Sequence, residues 1–211
     1  LHQRVQDGVF ARGQLAGFAV VVAARFVGGG VQGDDAVVEF VVGAVLAVAG
    51  QERGLTVVGT AQGMCTPMGA FLYFGPDDRF GKLCPPVKDV QDEVIATYSP
   101  GTILWWSRHE HIDRYEGDRV LSPESDEFWE VQRRDLIATA ERLTDRGETL
   151  VIVLTERPGI GMLSRPSAEM NSMLVQYSID HDEYRQRFNQ IVTEVAAQRE
   201  YIRTIDGDSL F

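Results

Sequence analysis

The densest set of chemically competent side chains is Trp105-Trp-Ser-Arg-His-Glu-His-Ile-Asp-Arg114. Ten residues carry two imidazoles, two guanidiniums and two carboxylates. An imidazole titrates near neutrality and can serve as a general base. His109 and His111 alternate in a loop with no third ligand at metal spacing, so the segment does not read as a metal centre. Arg108 can hold an anion. The plainer reading is an Arg, Glu and Asp loop braced by ion pairs, with both Trp residues in the core. A second polar set, Thr155-Glu-Arg-Pro158, offers Arg157 as another anion-holding group.

Both sets follow short apolar runs. Thr149-Leu-Val-Ile-Val-Leu154 is bounded by Arg146-Gly147 and Pro158-Gly159, the pattern of a strand buried on both faces. Thr102 to Trp106, Leu55 to Gly59 and Tyr201 to Ile205 read as further strands, and Leu15 to Val27 as a strand or buried segment. Apolar residues at helical spacing mark helices at Val87–Tyr98, Glu127–Arg146 and Asp182–Glu200. On the first of these the inward set is Val87, Val90, Val94, Ile95 and Tyr98. The Ala- and Val-rich stretch Val37 to Gly50 is a further helix candidate, 62–86 a long loop and 157–181 an irregular excursion. Strands separated by helices need crossover connections, so the sheet is expected to be parallel in a three-layer α/β/α domain, flavodoxin-like in outline. In such sheets chemistry sits beyond the carboxyl ends of the strands. Gly63, the loop Ser107 to Arg114, and Thr155 to Arg157 should therefore meet at one edge.

Composition narrows the functional classes. The chain has 211 residues, 44% hydrophobic and 24% charged, with a formal net charge of -11. That size suits one α/β domain. The acidity and the lack of a basic stripe argue against nucleic-acid binding, which relies on Lys and Arg at phosphates. The run from Leu15 to Val27 is too short to span a bilayer and contains Arg25. Both ends of the chain read as cuts in something longer.

Three weaker signals remain. Gly28-Gly-Gly30 with Gly33 follows an apolar run but lacks the G-x-G-x-x-G form of a dinucleotide site. Gly207-Asp-Ser209 has the letters of a hydrolase nucleophile motif, yet reads as a solvated turn after the last strand. The two cysteines, Cys65 and Cys84, lie in loop context and fit either a disulfide or two free thiols. Neither has metal-ligand spacing to another Cys or to His.

The succession of strand, Cys-bearing loop, helix, Ile103-Leu-Trp-Trp106, polar loop, helix, Val151-Ile-Val-Leu-Thr-Glu-Arg-Pro158, helix and Ile202-Arg-Thr-Ile-Asp206 resembles an SGNH/GDSL hydrolase domain. It is most similar to the SGNH domains fused behind the membrane part of acyltransferase family 3 proteins in actinobacteria. The loop ending Glu110-His-Ile-Asp-Arg114 resembles that group's Trp-Glu-x-x-Asp-Arg pattern. The resemblance covers roughly 55–211; residues 1–32 do not match the family's lead-in. It implies an acyltransferase or esterase acting on O-acyl groups of cell-envelope carbohydrate, without a cofactor. It also implies an extracytoplasmic setting, a membrane acyltransferase domain in the same polypeptide, and a Cys65–Cys84 disulfide.

Carried over residue by residue, the resemblance is incomplete. Gly33-Asp-Asp35 stands at the family's Gly-Asp-Ser block, with Asp35 in place of the nucleophile. Gly63 matches the residue whose backbone amide faces the oxyanion. No Asn follows the 102–106 strand, since the chain's two Asn residues are Asn171 and Asn189, and no Asp-x-x-His follows the last strand. A carboxylate cannot replace the hydroxyl in Ser–His acyl transfer, so the expectation is a domain catalytically incomplete as it stands. A glycan- or partner-binding module is the alternative, with Trp105, Trp106 and Trp129 as a stacking face. An unrelated cytosolic α/β protein with free thiols is a third reading.

Overall fold

The computed structural model describes residues 18–25, 56–63, 66–70, 72–73, 86–107, 110–157, 176–177 and 179–210; in 18–25, 56, 61–63, 86 and 210, only the backbone is described. The elements are β1 (Phe18–Arg25), β2 (Thr56–Gly63), α1 (Pro86–Tyr98), β3 (Thr102–Ser107), β4 (Arg114–Glu116), β5 (Arg119–Leu121), α2 (Asp126–Leu143), β6 (Thr149–Val153), α3 (Asp182–Ala197) and β7 (Ile202–Ile205). A 3₁₀ turn, Gly207–Leu210, follows β7.

Five strands form one sheet in the order β2-β1-β3-β6-β7, and every neighbouring pair is parallel. This is the three-layer α/β/α, flavodoxin-like architecture that the strand–helix alternation predicts. The chain steps outward from β1 to β2, then back across to β3 and on through β6 to β7. The order therefore reverses between β1 and β3, where connections leave in opposite directions and a crevice opens.

The core explains the period of each element. On β3, Ile103, Trp105 and Ser107 are buried while the alternating residues are only half-buried, as a pleated strand requires. With Leu150, Ile152 and Ile202, Ile103 and Trp105 meet Phe128, Leu136, Ala140 and Leu143 of α2 and Phe188, Ile191, Val192 and Val195 of α3. On α1, Val87 and Ile95 are buried, but Val90 is exposed, correcting its place on the inward face. Ser125 caps α2, its Oγ accepting from the Phe128 amide at 3.3 Å. That satisfies a donor which would otherwise be orphaned at a helix start. Thr144 ends the same helix, short of the expected Arg146, and Gly147 reverses the chain at φ +95 before β6.

A small antiparallel pair, β4–β5, was not expected from the sequence. Its turn is Gly117-Asp118, with Gly117 at φ +60. A Gly-led two-residue turn suits the twist of a hairpin. The helix candidate Val37–Gly50 lies outside the described residues, as does most of the 157–181 excursion; 176–177 and 179–180 are helical. Among the described residues no helix is long and apolar enough to cross a membrane.

Candidate functional site

The carboxyl ends of β1, β2 and β3 lie side by side. Arg25 is in register with Gly63, and Ala24 with Ser107. Thr155, two residues beyond β6, donates its hydroxyl to the Ser107 carbonyl at 3.2 Å. Gly63, Ser107 and Thr155 thus emerge on one edge of the sheet, as the parallel topology requires.

The loop after β3 turns inward. Glu110 is 0% exposed and His111 1%. The Glu110 carbonyl accepts from Gln132 Nε2, which is also buried. Gln132 Oε1 accepts from Arg114 Nη1 at 2.6 Å, and Arg114 Nη2 donates to Asp135 at 2.5 Å. Arg134 bridges Asp135 at 2.8 Å and Glu116 at 2.9 Å. Arg114 is buried, so its charge is held by buried Gln132 and half-buried Asp135 of α2.

Several polar atoms in this loop are buried without a hydrogen bond of normal geometry: Ser107 Oγ, both carboxyl oxygens of Glu110, both ring nitrogens of His111, and Arg114 Nε. Unsatisfied groups at this density are uncommon in protein interiors. The Ser107 and Thr66 hydroxyls are close enough to Glu110 to favour its charged form, as is Arg114, but burial dominates and pushes the carboxyl up to about 8. Burial pushes His111 the other way, to about 4, helped by the neighbouring Arg185 cation. Both groups are therefore neutral over a wide range around pH 6.

The opposite wall is braced by α3. Asn189 exchanges two hydrogen bonds with the Thr155 backbone, and Arg185 Nη1 donates to the Thr155 carbonyl at 2.9 Å. Arg185 is also paired to Asp182 at 2.5 Å, which holds Asp182 below its usual range. Segment 66–70, beyond β2, is tied to α1 by Gln91 Nε2 donating to the Pro67 carbonyl at 3.1 Å. The Tyr73 amide donates to the Asp113 carbonyl at 2.8 Å, joining residues 72–73 to the polar loop.

Gly63 and Arg157 fall at the expected edge. Arg157 is exposed and already engaged: its amide donates to Asp208 at 2.6 Å and Nε meets the same carboxylate at 3.2 Å. Gly207-Asp-Ser209 is the expected turn, with Asp208 and Ser209 exposed, but it is tied to the β6 edge. Gly207 is buried, and Asp208 anchors the loop after β6. Gly33, Asp35, Cys65, Cys84, Arg108 and His109 lie outside the described residues. Trp105 and Trp129 are core residues, so they supply no stacking face; Trp106 is half-buried. Among the described residues no three His, Cys, Asp or Glu side chains gather as a metal site would need. Sequence reasoning placed Glu110 and His111 in the candidate loop but not their burial, and it missed Asn189. A charged residue just past a strand reads as solvated, and an Asn inside a helix carries no signal of what it faces.

No family model matches the sequence, and no curated protein matches it. Among solved structures the chain is similar to a lipase/acylhydrolase from Enterococcus faecalis, with 11% sequence identity and a TM-score of 0.48. The similarity covers 92% of this chain and 78% of that one.

Proposed function

We propose that this chain is an SGNH-type domain of an O-acyltransferase or esterase acting on cell-envelope carbohydrate, lacking part of the catalytic set as it stands. The observation that carries the reading is the meeting of Gly63, the Ser107–Arg114 loop and Thr155 at the carboxyl edge of a β2-β1-β3-β6-β7 parallel sheet. That is where the resemblance puts acyl chemistry and where an open parallel sheet binds ligands. Gly63 can bring a backbone amide to an acyl oxygen, the kind of donor that stabilises an oxyanion. Asp35 at the nucleophile position and the want of an Asn after β3 are why the chain is read as incomplete. The same reading includes an extracytoplasmic setting, a membrane acyltransferase domain as partner, and a Cys65–Cys84 disulfide.

A non-catalytic glycan-binding module is the second reading. Its support is the ring cluster at the start of α3: His181 stacks on Tyr184 at 5.0 Å and 1°, and Tyr177 leans on His181 at 4.5 Å. Tyr177, His181 and Tyr184 are all half-buried. Aromatic rings of partial exposure are suited to sugar faces.

Acetate release from O-acetylated xylo-oligosaccharides separates the two. The 211-residue chain should release none above heat-treated protein, and a longer version that restores the missing groups, with Asp35→Ser and an Asp-x-x-His segment appended after Phe211, should release it. If the longer version binds the oligosaccharide but releases nothing, the binding-module reading replaces the first. If it neither binds nor releases, both fail.

A further inference from the structure

We propose that Glu110 is a proton-operated positioning residue: the proton it carries decides whether Arg114 is held by Asp135 on α2, with residues 110–114 closed against that helix, or is drawn to Glu110, with those residues released. The observation behind this is an excess of acids around one buried cation. Three carboxylates act on Arg114: Asp135 at 2.5 Å, Glu116 at 3.6 Å, and Glu110, whose charged form Arg114 favours. In the structure the guanidinium is committed to Asp135 and Gln132, which leaves Glu110 fully buried with neither carboxyl oxygen in a hydrogen bond of normal geometry. A carboxylate there would be a desolvated charge beside Asp135, so the closed loop requires the neutral acid.

Among the described residues, the groups facing Glu110 come from four parts of the fold. Thr66 approaches from the segment after β2, Ser107 from the end of β3, Arg114 from β4 and Asp135 from α2, while Gln132 holds its backbone carbonyl. Its neighbour His111 faces Arg185 and Asp182 of α3 and stays neutral near physiological pH, so it supplies no counter-charge. Among the described residues, Arg114 is the cation placed to compensate an ionised Glu110. Moving it breaks the bond to Gln132, the same side chain that clamps the Glu110 carbonyl. Asp135 keeps a partner in Arg134 at 2.8 Å, so the alternative pairing leaves no orphaned charge on α2. Two pairings with one proton between them make a bistable element of the kind that switches use.

The inference does not depend on ester turnover, so it can fail while the proposed function stands. The test is amide hydrogen exchange of residues 110–114 in the full chain from pH 6 to 9.5, expressed as protection relative to intrinsic exchange. Trp fluorescence, the sum of Trp105 and Trp106 on β3 and Trp129 on α2, is followed in parallel. The expected result is a loss of protection of about tenfold or more, with an onset near pH 8, and a fluorescence change at the same pH. Glu110→Gln, which mimics the neutral acid, should keep the protection seen at pH 6 and abolish the step. Asp135→Asn frees Arg114 to meet Glu110 and should move the step to lower pH, a readout that survives if Glu110→Gln does not fold. A step that persists in Glu110→Gln, an unmoved step in Asp135→Asn, or no step in the parent chain overturns the proposal.

Discussion

Asn189 and Thr155 are joined by a reciprocal pair of hydrogen bonds: the Thr155 amide donates to Asn189 Oδ1 at 2.9 Å, and Asn189 Nδ2 donates to the Thr155 carbonyl at 2.9 Å. The side-chain amide thereby acts as one more rung of strand pairing just past the end of β6. It locks α3 to the loop at the carboxyl edge. Asn189→Ala would leave the partly buried Thr155 amide without this acceptor and remove one of two donors to its carbonyl. The expected cost is about 1–3 kcal/mol, read as a lower urea midpoint with unchanged slope. Asn189→Asp keeps the acceptor and loses the donor, so it should fall between the two. An Ala variant as stable as the parent would show that the amide bonds contribute nothing net.

Arg114 predicts a larger effect. It is buried, with Asp135 and Gln132 as its partners, and removing one member of such a set leaves the other uncompensated. Arg114→Ala should cost about 3–5 kcal/mol. The double variant Arg114→Met with Asp135→Leu should recover a large part, because no charge is then stranded. Thermal melts of the single and double variants check this, and equal losses in both would mean that packing and not charge sets the cost.

Much of this framework is legible in the sequence because periodicity reports which face of an element is buried. The strands at 102–107 and 149–153 and the helices α2 and α3 follow from apolar spacing alone. Their parallel pairing follows from the helices between them. The β4–β5 hairpin escaped because strands of three residues carry too few positions to show a period. Its one signal is Gly117-Asp118, a turn-forming pair between short alternating runs. The inward turn of Glu110 and His111 is illegible for a different reason. Both are polar residues directly after a strand, and nothing local distinguishes one swept under Gln132 from one left in water. The roles of Arg157 and Asp208 depend on a pairing 51 residues apart in sequence, which only the fold reveals.

Gly207 is required by close approach, not by backbone freedom. A Cβ there would run into the Leu154 carbonyl oxygen and crowd Glu156. Backbone atoms yield little, so Gly207→Ala must push the turn after β7 away from β6. Overpacking of this kind costs about 1–3 kcal/mol. Because Asp208 moves with the turn, its bonds to Arg157 should loosen as well. A fall in melting temperature with faster exchange at the Arg157 amide is the expected result; an unchanged melt would show that the turn relaxes freely.

The cysteine pair is testable by mass. If Cys65 and Cys84 are bridged in the native protein, alkylation without reductant leaves the intact mass unmodified, and the same treatment after reduction adds two labels. A bridge of this span stabilises by roughly 3 kcal/mol in the chain-entropy description. Reduction should then lower the melting temperature. Two labels on the unreduced native protein would rule the bridge out.

Glu110 and His111 impose opposite pH dependences on stability, and the windows follow from their shifts. Glu110 has an ordinary value of 4.5 and a folded value of about 8. Between those limits the folded chain holds a proton that the unfolded chain has released, so this group's contribution is fully present below about pH 4.5 and is lost as pH rises toward 8. His111 has an ordinary value of 6.5 and a folded value of about 4. Between those limits the unfolded chain holds the extra proton, so its contribution is present above about pH 6.5 and is lost as pH falls toward 4. From about pH 4.5 to 6.5 the two slopes oppose each other, and above 6.5 only the Glu110 slope remains. Their combined contribution should therefore be nearly flat across pH 5–6 and decline from 6.5 to 8, by an amount on the order of a few kcal/mol at most. Urea midpoints measured from pH 4 to 9 for the parent and for Glu110→Gln give the difference directly. The parent should lose stability relative to the variant as pH rises from 6.5 to 8, and curves that stay parallel across that interval would show that Glu110 ionises as an ordinary carboxyl.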